Sequence, residues 1–174
     1  MVQTATKKSN EKLAAQISQT NKPNDAVVKG LQQQVANAFI LYLNYKHYHW
    51  QTFGPLFRDL HLLFDEFATE VYETVDPLAE RVRMIGQNPV SRLEEFQKTA
   101  TIKSAADNRA MSEMIKEADI NAIRVIKEMR QAIKTADEAD DPGTADVLTR
   151  FVQVHEKHEW WLRDILEKRD GLTD

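Results

Sequence analysis

The sequence predicts an all-α fold, a bundle of four long amphipathic helices, and three observations carry that prediction. Apolar residues recur at alternating steps of three and four over four separate stretches, the period of a helix with one buried face. Only five glycines and five prolines occur in 174 residues, too few to punctuate the many turns of a β-fold. At 42% hydrophobic and 29% charged residues, the composition is that of one globular domain large enough for a real core.

Each element follows from the pattern. Val28, Leu31, Val35, Ala38, Tyr42, Tyr45 and His49 form the stripe of a first helix, which "TFGP" at 52–55 stops. Phe57, Leu60, Phe64, Phe67, Val71, Val75, Leu78, Val82 and Ile85 form the stripe of a second, ended by "GQNP" at 86–89. This helix spans about 30 residues, or roughly 45 Å. Pro77 interrupts it: the ring removes a hydrogen bond and crowds the Glu73 carbonyl, so a kink or short break is expected there. "SRLEEF" at 91–96 suggests a short extra helix in the connection. Ser104 is the expected N-cap of a third long helix, with Met111, Met114, Ala118, Ala122, Val125, Met129 and Ile133 inward. It ends in "ADEADDPG". Thr144 is the expected cap of the fourth, with Leu148, Phe151, His155, His158, Leu162 and Ile165 inward. Four long helices with one longer middle connection define a four-helix bundle domain over residues 26–170, preceded by a polar arm, residues 1–25.

Composition excludes several chemistries. With no cysteine there is no disulfide framework, zinc–thiolate site or thiol nucleophile, so metal chemistry must use His, Asp and Glu. The chain lacks a run of about 18 apolar residues, and the polar start "MVQTATKKSNEK" lacks the apolar region of a secretory signal. A soluble cytoplasmic protein with no membrane partner is expected. A net charge of −4 argues against a globally basic nucleic-acid binder. The arm carries Lys7, Lys8, Lys12 and Lys22 against Glu11 and Asp25, a pattern more often solvated than binding, and it leaves DNA as a partner to test. There is no glycine-rich phosphate loop and no internal repeat.

Three of the five histidines and a ladder of carboxylates crowd residues 44–81. His61 and Asp65 are four apart, as are Asp76 and Glu80, so each pair lies on one helical face. Imidazole mixed with hard oxygen ligands suits a borderline ion such as Fe(II). Either pair taken singly is more often mere decoration of a solvated face. From Asp65 to Asp76, eleven residues restore nearly the same azimuth but add roughly 16 Å along the axis. The two pairs cannot share a metal within one chain. They can if the second helix packs antiparallel on its own copy across a two-fold axis near residues 70 and 71, an arrangement the spacing permits without requiring. His155 and His158, beside Glu156 and Glu159, are the competing pair. An intrachain diiron bundle wants Glu-x-x-His on two helices, and no Glu here has His three residues later, so these two read first as hydrogen-bonded core or interface histidines. His47 reads as surface.

"KHYHWQTFGPLFRDLHLLFDEF" followed by "DPLAER" resembles the signature of the Dps miniferritins, the DNA-binding proteins from starved cells, and "EKHEWWL" resembles their last helix. The resemblance covers nearly all of residues 26–168, with ligand candidates spaced 12, 4, 11 and 4 apart.

The resemblance implies a ferritin-like bundle assembled as a hollow homododecamer that oxidises Fe(II), preferably with hydrogen peroxide, and stores Fe(III) mineral. It implies that His49, His61 and Asp65 of one subunit bind iron together with Asp76 and Glu80 of its two-fold partner. Trp50 would intercept stray oxidising equivalents and Glu66 would help nucleate mineral. Asp137, Asp140, Asp141 and Asp146 match the region lining an iron-entry pore. His47 stands where an amide is common in relatives and would add a transient ligand. Pro77 directly follows Asp76, and a tilted Asp76 carboxylate would make zinc a competitor at the second position. Nucleoid association would follow if the arm binds DNA.

Overall fold

The computed structural model describes residues 24–107 and 110–167. Five helices make up the regular structure of that range: α1 (Asp25–Gln51), α2 (Phe57–Met84), α3 (Leu93–Thr99), α4 (Met111–Glu138) and α5 (Pro142–Leu166). The 1–25 arm expected from sequence falls almost entirely outside the described residues.

α1 begins where Asn24 accepts from the backbone N–H groups of Ala26 (2.9 Å) and Val27 (3.4 Å). Replacing Asn24 with Ala removes that cap and should lower stability by about 1 kcal/mol, read from the chemical denaturation midpoint. α1 packs along α2, and α4 along α5; α1 also meets α4 and α3, and α2 meets α5. The two hairpins enclose a core in which Tyr45, Tyr48, Phe64, Phe67, Leu78, Met129, Leu148 and Leu162 are wholly buried. At the α1–α4 crossing a Cβ on Gly30 would lie 3.2 Å from the Ala132 Cβ, so glycine permits the close approach.

The long α2–α4 connection is strapped across α1 by amide side chains. Gln32 donates to the Asn88 carbonyl (2.7 Å) and accepts from the Val90 N–H (2.7 Å). Asn37 accepts from the Thr101 N–H (2.8 Å) and donates to Glu128 (3.0 Å). Asn44 donates to the Lys103 carbonyl and accepts from the Ala105 N–H, each at 2.8 Å.

Several expectations need correction. Asn44 grips the backbone on both sides of Ser104, which holds that segment out of a helix, so Ser104 does not cap α4. The cap is Ala110, whose N–H is taken by Glu113 (3.2 Å) while its carbonyl accepts from the Glu113 N–H (2.9 Å). Thr144 is not the cap of α5 either. Asp141 is, accepting from the Thr144 N–H at 3.0 Å, with Pro142 at the first helical position where no donor is missed. α2 passes through Pro77 without a break. The hydrogen bond that proline forfeits lies beside exposed Glu73 and Asp76, where water can replace it. Ile165, expected inward, is 40% exposed because α5 ends one residue later. His47, expected on the surface, is half-buried with its ring 5.9 Å from that of Tyr48. The remaining predicted stripes hold, with Phe57 at the start of α2 the one further exposed member.

Candidate metal centre

The turn between α1 and α2 sets the site. Thr52 ends α1 by donating its hydroxyl to the Tyr48 carbonyl (2.7 Å), and Gly54 takes a φ of +89°, open to glycine at little cost. The chain reverses, and residue 49 comes to lie against residue 61.

His49 and His61 then exchange hydrogen bonds. His49 Nδ1 lies 2.6 Å from the His61 carbonyl oxygen, and His61 Nδ1 lies 2.9 Å from the His49 carbonyl oxygen. A carbonyl can only accept, so both Nδ1 atoms carry a proton, and in the neutral imidazole the lone pair is on Nε2. The rings stack at 3.7 Å and 20°, with Phe57 stacked on His61 at 5.1 Å. Fixing tautomer and ring plane through the far nitrogen is how a protein prepares an imidazole to bind a metal.

Asp65, one turn beyond His61, pairs with Lys46 Nζ at 2.6 Å. The Lys46 hydrogen bond holds the Asp65 carboxyl below its usual range against the opposing effect of burial, with the Lys46 charge and the two neighbouring histidines adding to it. It is therefore an anion at neutral pH. The same ammonium sits 5.6 Å from the Trp50 ring, which is 68% exposed. Sequence reading missed Lys46, although its place three residues before His49, on the same face of α1, was a usable signal. The exchanged carbonyl bonds had no such signal.

Asp76 and Glu80 are exposed and, among the described residues, make no hydrogen bond or ion pair. α2 is continuous between the two halves, so they stay roughly 16 Å apart along its axis. Among the described residues no three His, Asp or Glu side chains of one chain stand close enough to hold a metal ion. Among the described residues, then, the candidates fall into His49, His61 and Asp65 at one end of α2 and Asp76 with Glu80 further along it.

The other candidates are placed as follows. Glu66 is exposed and 3.4 Å from Lys157. Asp137, Asp140 and Asp146 are exposed at the α4–α5 turn, Asp146 lying 3.4 Å from Arg150. The Asp141 carboxylate is engaged inside the chain, by Arg81 (2.6 Å) and by the Thr144 hydroxyl (2.7 Å); burial opposes its ionisation, but the Thr144 hydroxyl and N–H and then Arg81 together hold it below its usual range. His158 is buried and donates from Nε2 to Glu70 (2.8 Å), which Lys157 also contacts; His155, expected to be hydrogen-bonded, is instead buried with no hydrogen-bond partner among the described residues, its ring 6.0 Å from that of His158.

A four-helix bundle of two antiparallel hairpins is the architecture of the ferritin-like proteins, and the ferritin-like domain matches residues 28–171. Within that superfamily the chain belongs to the Dps family. It is 39% identical to the DNA protection during starvation protein of Brevibacillus brevis, over 79% of this chain and 92% of that one. It is similar to the crystallised Dps of Thermosynechococcus elongatus, with a TM-score of 0.84 and 46% identity over 90% of this chain and 99% of that one. A Dps from Vibrio cholerae, described as a member of a broad superfamily of ferritin-like diiron-carboxylate proteins, aligns with a TM-score of 0.79 and 25% identity over 86% of this chain and 92% of that one.

Proposed function

We propose that this protein is a ferroxidase and iron store whose catalytic site is shared between two copies of the chain. The observation that carries the reading is the pair of stacked imidazoles, both held as Nδ1–H tautomers with Nε2 free, beside an ionised aspartate. In this reading His49, His61 and Asp65 bind Fe(II) together with Asp76 and Glu80 of the partner subunit. The partner's place is supported by exposed large apolar side chains on the α1–α2 hairpin, Leu43, Trp50, Phe57, Leu62 and Tyr72, each about half exposed or more. Packing that surface on its own copy would hide it and complete two identical sites, and further contacts between such pairs through other surfaces would build a homododecamer.

The chemistry follows from the donors. Neutral imidazoles hold Fe(II) without piling up negative charge, while the carboxylates favour the harder Fe(III) and so assist oxidation. Hydrogen peroxide takes one electron from each of two Fe(II) ions, giving two Fe(III) and two hydroxide ions without releasing hydroxyl radical. Lys46 holds the place of a cation on Asp65, and arriving Fe(II) displaces it. Removing it in Lys46→Met should therefore tighten Fe(II) binding by about 10-fold at low ionic strength, measured by anaerobic titration. Zinc suits the same His and carboxylate donors and is the expected competitor. Glu66 would nucleate mineral, and Asp137, Asp140 and Asp146 would line the entry path, with Asp141 holding the turn.

The test is anaerobic Fe(II) loading of the sized protein followed by stoichiometric hydrogen peroxide, with Fe(III) and hydroxyl radical both monitored. Fast oxidation with little radical in a dodecamer-sized particle is the expected result; oxidation at the protein-free rate counts against the reading. The name of the Brevibacillus relative brings a second function into question, since Lys7, Lys8, Lys12 and Lys22 repeated over an assembly would give avidity for DNA. A salt-dependent gel shift decides it, and no retardation at low salt removes it.

A further inference from the structure

Charge is unevenly spread over α4. Between Glu113 and Asp137 eight residues of this helix are exposed, and five of them are cations: Lys116, Arg124, Lys127, Arg130 and Lys134. Two others are Ile120 and Ile123, and none is acidic. The eight recur at the helical period, so they form one stripe roughly 27 Å long on the outer side of α4. A chain of net charge −4 thus concentrates positive charge on a single helix face.

Little of that charge is neutralised within the chain. Lys116 and Lys127 make no ion pair among the described residues. Arg130 and Lys134 have acidic neighbours, Glu156 and Glu138, yet stay 66% and 68% exposed. Other nearby carboxylates are engaged elsewhere: Glu113 by the Ala110 N–H, Glu117 by Tyr48, Glu128 by Gln33, Asn37 and Thr101, and Glu159 by Arg163. Ile120 and Ile123 are 59% and 49% exposed, and a hollow opens beside each. Ile120 shares one of about 480 Å³ with Lys116 and Arg124, and Ile123 shares one of about 460 Å³ with Lys127 and Arg130. Each hollow joins an apolar side chain to two cations.

A duplex nucleic acid would meet the five cations but gives the isoleucines nothing, since its phosphates and sugars are polar. An anionic bilayer surface takes both: the cations reach lipid phosphates, and the isoleucines sink to the boundary between headgroups and acyl chains. We propose that the exposed stripe of α4 docks the assembled protein on an anionic phospholipid surface. In the assembly proposed above, the two-fold partner covers the α1–α2 hairpin and Glu66 marks the cavity side. The stripe lies on neither and faces outward, and the inference rests on that reading for this point alone. No helix among the described residues is long and apolar enough to cross a membrane, so the contact is made on the leaflet surface. The expectation of no membrane partner came from weighing only spanning and signal segments. Several copies of the stripe on one particle supply avidity.

Cosedimentation of the sized, full-length protein with large unilamellar vesicles tests this, with particle size and Fe(II) oxidation recorded alongside. The vesicles are phosphatidylcholine alone or phosphatidylcholine with about a third phosphatidylglycerol. Binding to the anionic vesicles only, weakening as salt is raised, is expected. Lys116→Gln with Lys127→Gln should weaken it by about 10-fold or more, and Ile120→Ser with Ile123→Ser several-fold at unchanged charge. Both double variants should keep particle size and Fe(II) oxidation, since these exposed side chains belong to α4 and not to the metal site. Replacing Lys7, Lys8, Lys12 and Lys22 with Gln should leave vesicle binding intact. A dodecamer-sized particle that oxidises Fe(II) fast but ignores anionic vesicles at low salt overturns the lipid contact alone. Undiminished binding in Ile120→Ser, Ile123→Ser reassigns the stripe to a purely electrostatic partner such as nucleic acid, and loss of binding in the arm variant assigns the contact to the arm; either overturns the proposal. Isolated chains in place of a particle overturn the assembly reading and, with it, the outward placement of the stripe.

Discussion

Replacing His61 and Asp65 together with alanine should slow peroxide-driven Fe(II) oxidation by about 100-fold or more while leaving the assembly intact. The two side chains belong to the half-buried edge of α2, whereas the adjacent Leu60 and Phe64 carry the packing. His49 keeps its orientation in this variant, because its Nδ1 donates to the backbone carbonyl of residue 61 and not to the lost ring. Lys46 loses its partner, and an ammonium near the surface is readily hydrated. Stopped-flow oxidation measured on a sized sample checks both halves of this expectation. Fast oxidation retained by an assembled double variant would mean that these residues are not the ligands.

The second large effect concerns acid. His155 is wholly buried, and burial, together with the neighbouring His158, lowers its pKa from 6.5 to about 3. In the unfolded chain it takes a proton near pH 6.5, while the folded protein resists until about pH 3. Stability is therefore complete above the unfolded value and is lost as pH falls from about 6.5 toward 3. His158, lowered to about 3 by burial and then by Lys157, acts in the same direction. Asp119, whose pKa burial raises, acts weakly in the opposite sense. The combined loss should reach several kcal/mol, read as a falling urea midpoint between neutral pH and about pH 4. His155→Leu, an apolar replacement of similar volume, should flatten that decline. A midpoint independent of pH, or a decline unchanged in His155→Leu, would show that the buried imidazole is not its source.

Much of the fold was legible because the apolar stripes are long and unambiguous. Eight of the nine residues assigned to the second stripe are buried in α2 and the turn that ends it, Phe57 being the exception. The helix starts were less legible, for a physical reason. Ser104 and Thr144 are good capping residues by type, but the backbone on either side of Ser104 is held by Asn44, remote in sequence, and Thr144 gives way to a neighbouring cap, Asp141, which takes its N–H and hydroxyl while the remote Arg81 donates to that hydroxyl. Local preference lost to a tertiary contact in the first case and to a competing local cap in the second. Pro77 illustrates the converse, since a residue that breaks isolated helices sits within a continuous one that packing holds on both sides.

The candidate site was legible as residue types and spacing. Its electrostatics were not. The i,i+4 pairs locate His61, Asp65, Asp76 and Glu80 on one helix, and helix geometry alone separates them beyond the reach of a single ion. That Lys46 holds Asp65, and that two backbone carbonyls fix both imidazole tautomers, depends on how α1 folds back on α2. The sequence gives that reversal only as "TFGP".

The claim that the site is shared between subunits is tested most directly by complementation. The His61→Ala, Asp65→Ala variant and an Asp76→Ala, Glu80→Ala variant should each be inactive alone. Unfolded together and refolded as a mixture, they form mixed pairs in which one site lacks all four substituted ligands and the other has every ligand. With random pairing, about a quarter of the unmodified Fe(II) oxidation rate should return. No recovery in a mixture shown to have exchanged subunits would contradict a site completed by a second copy of the chain.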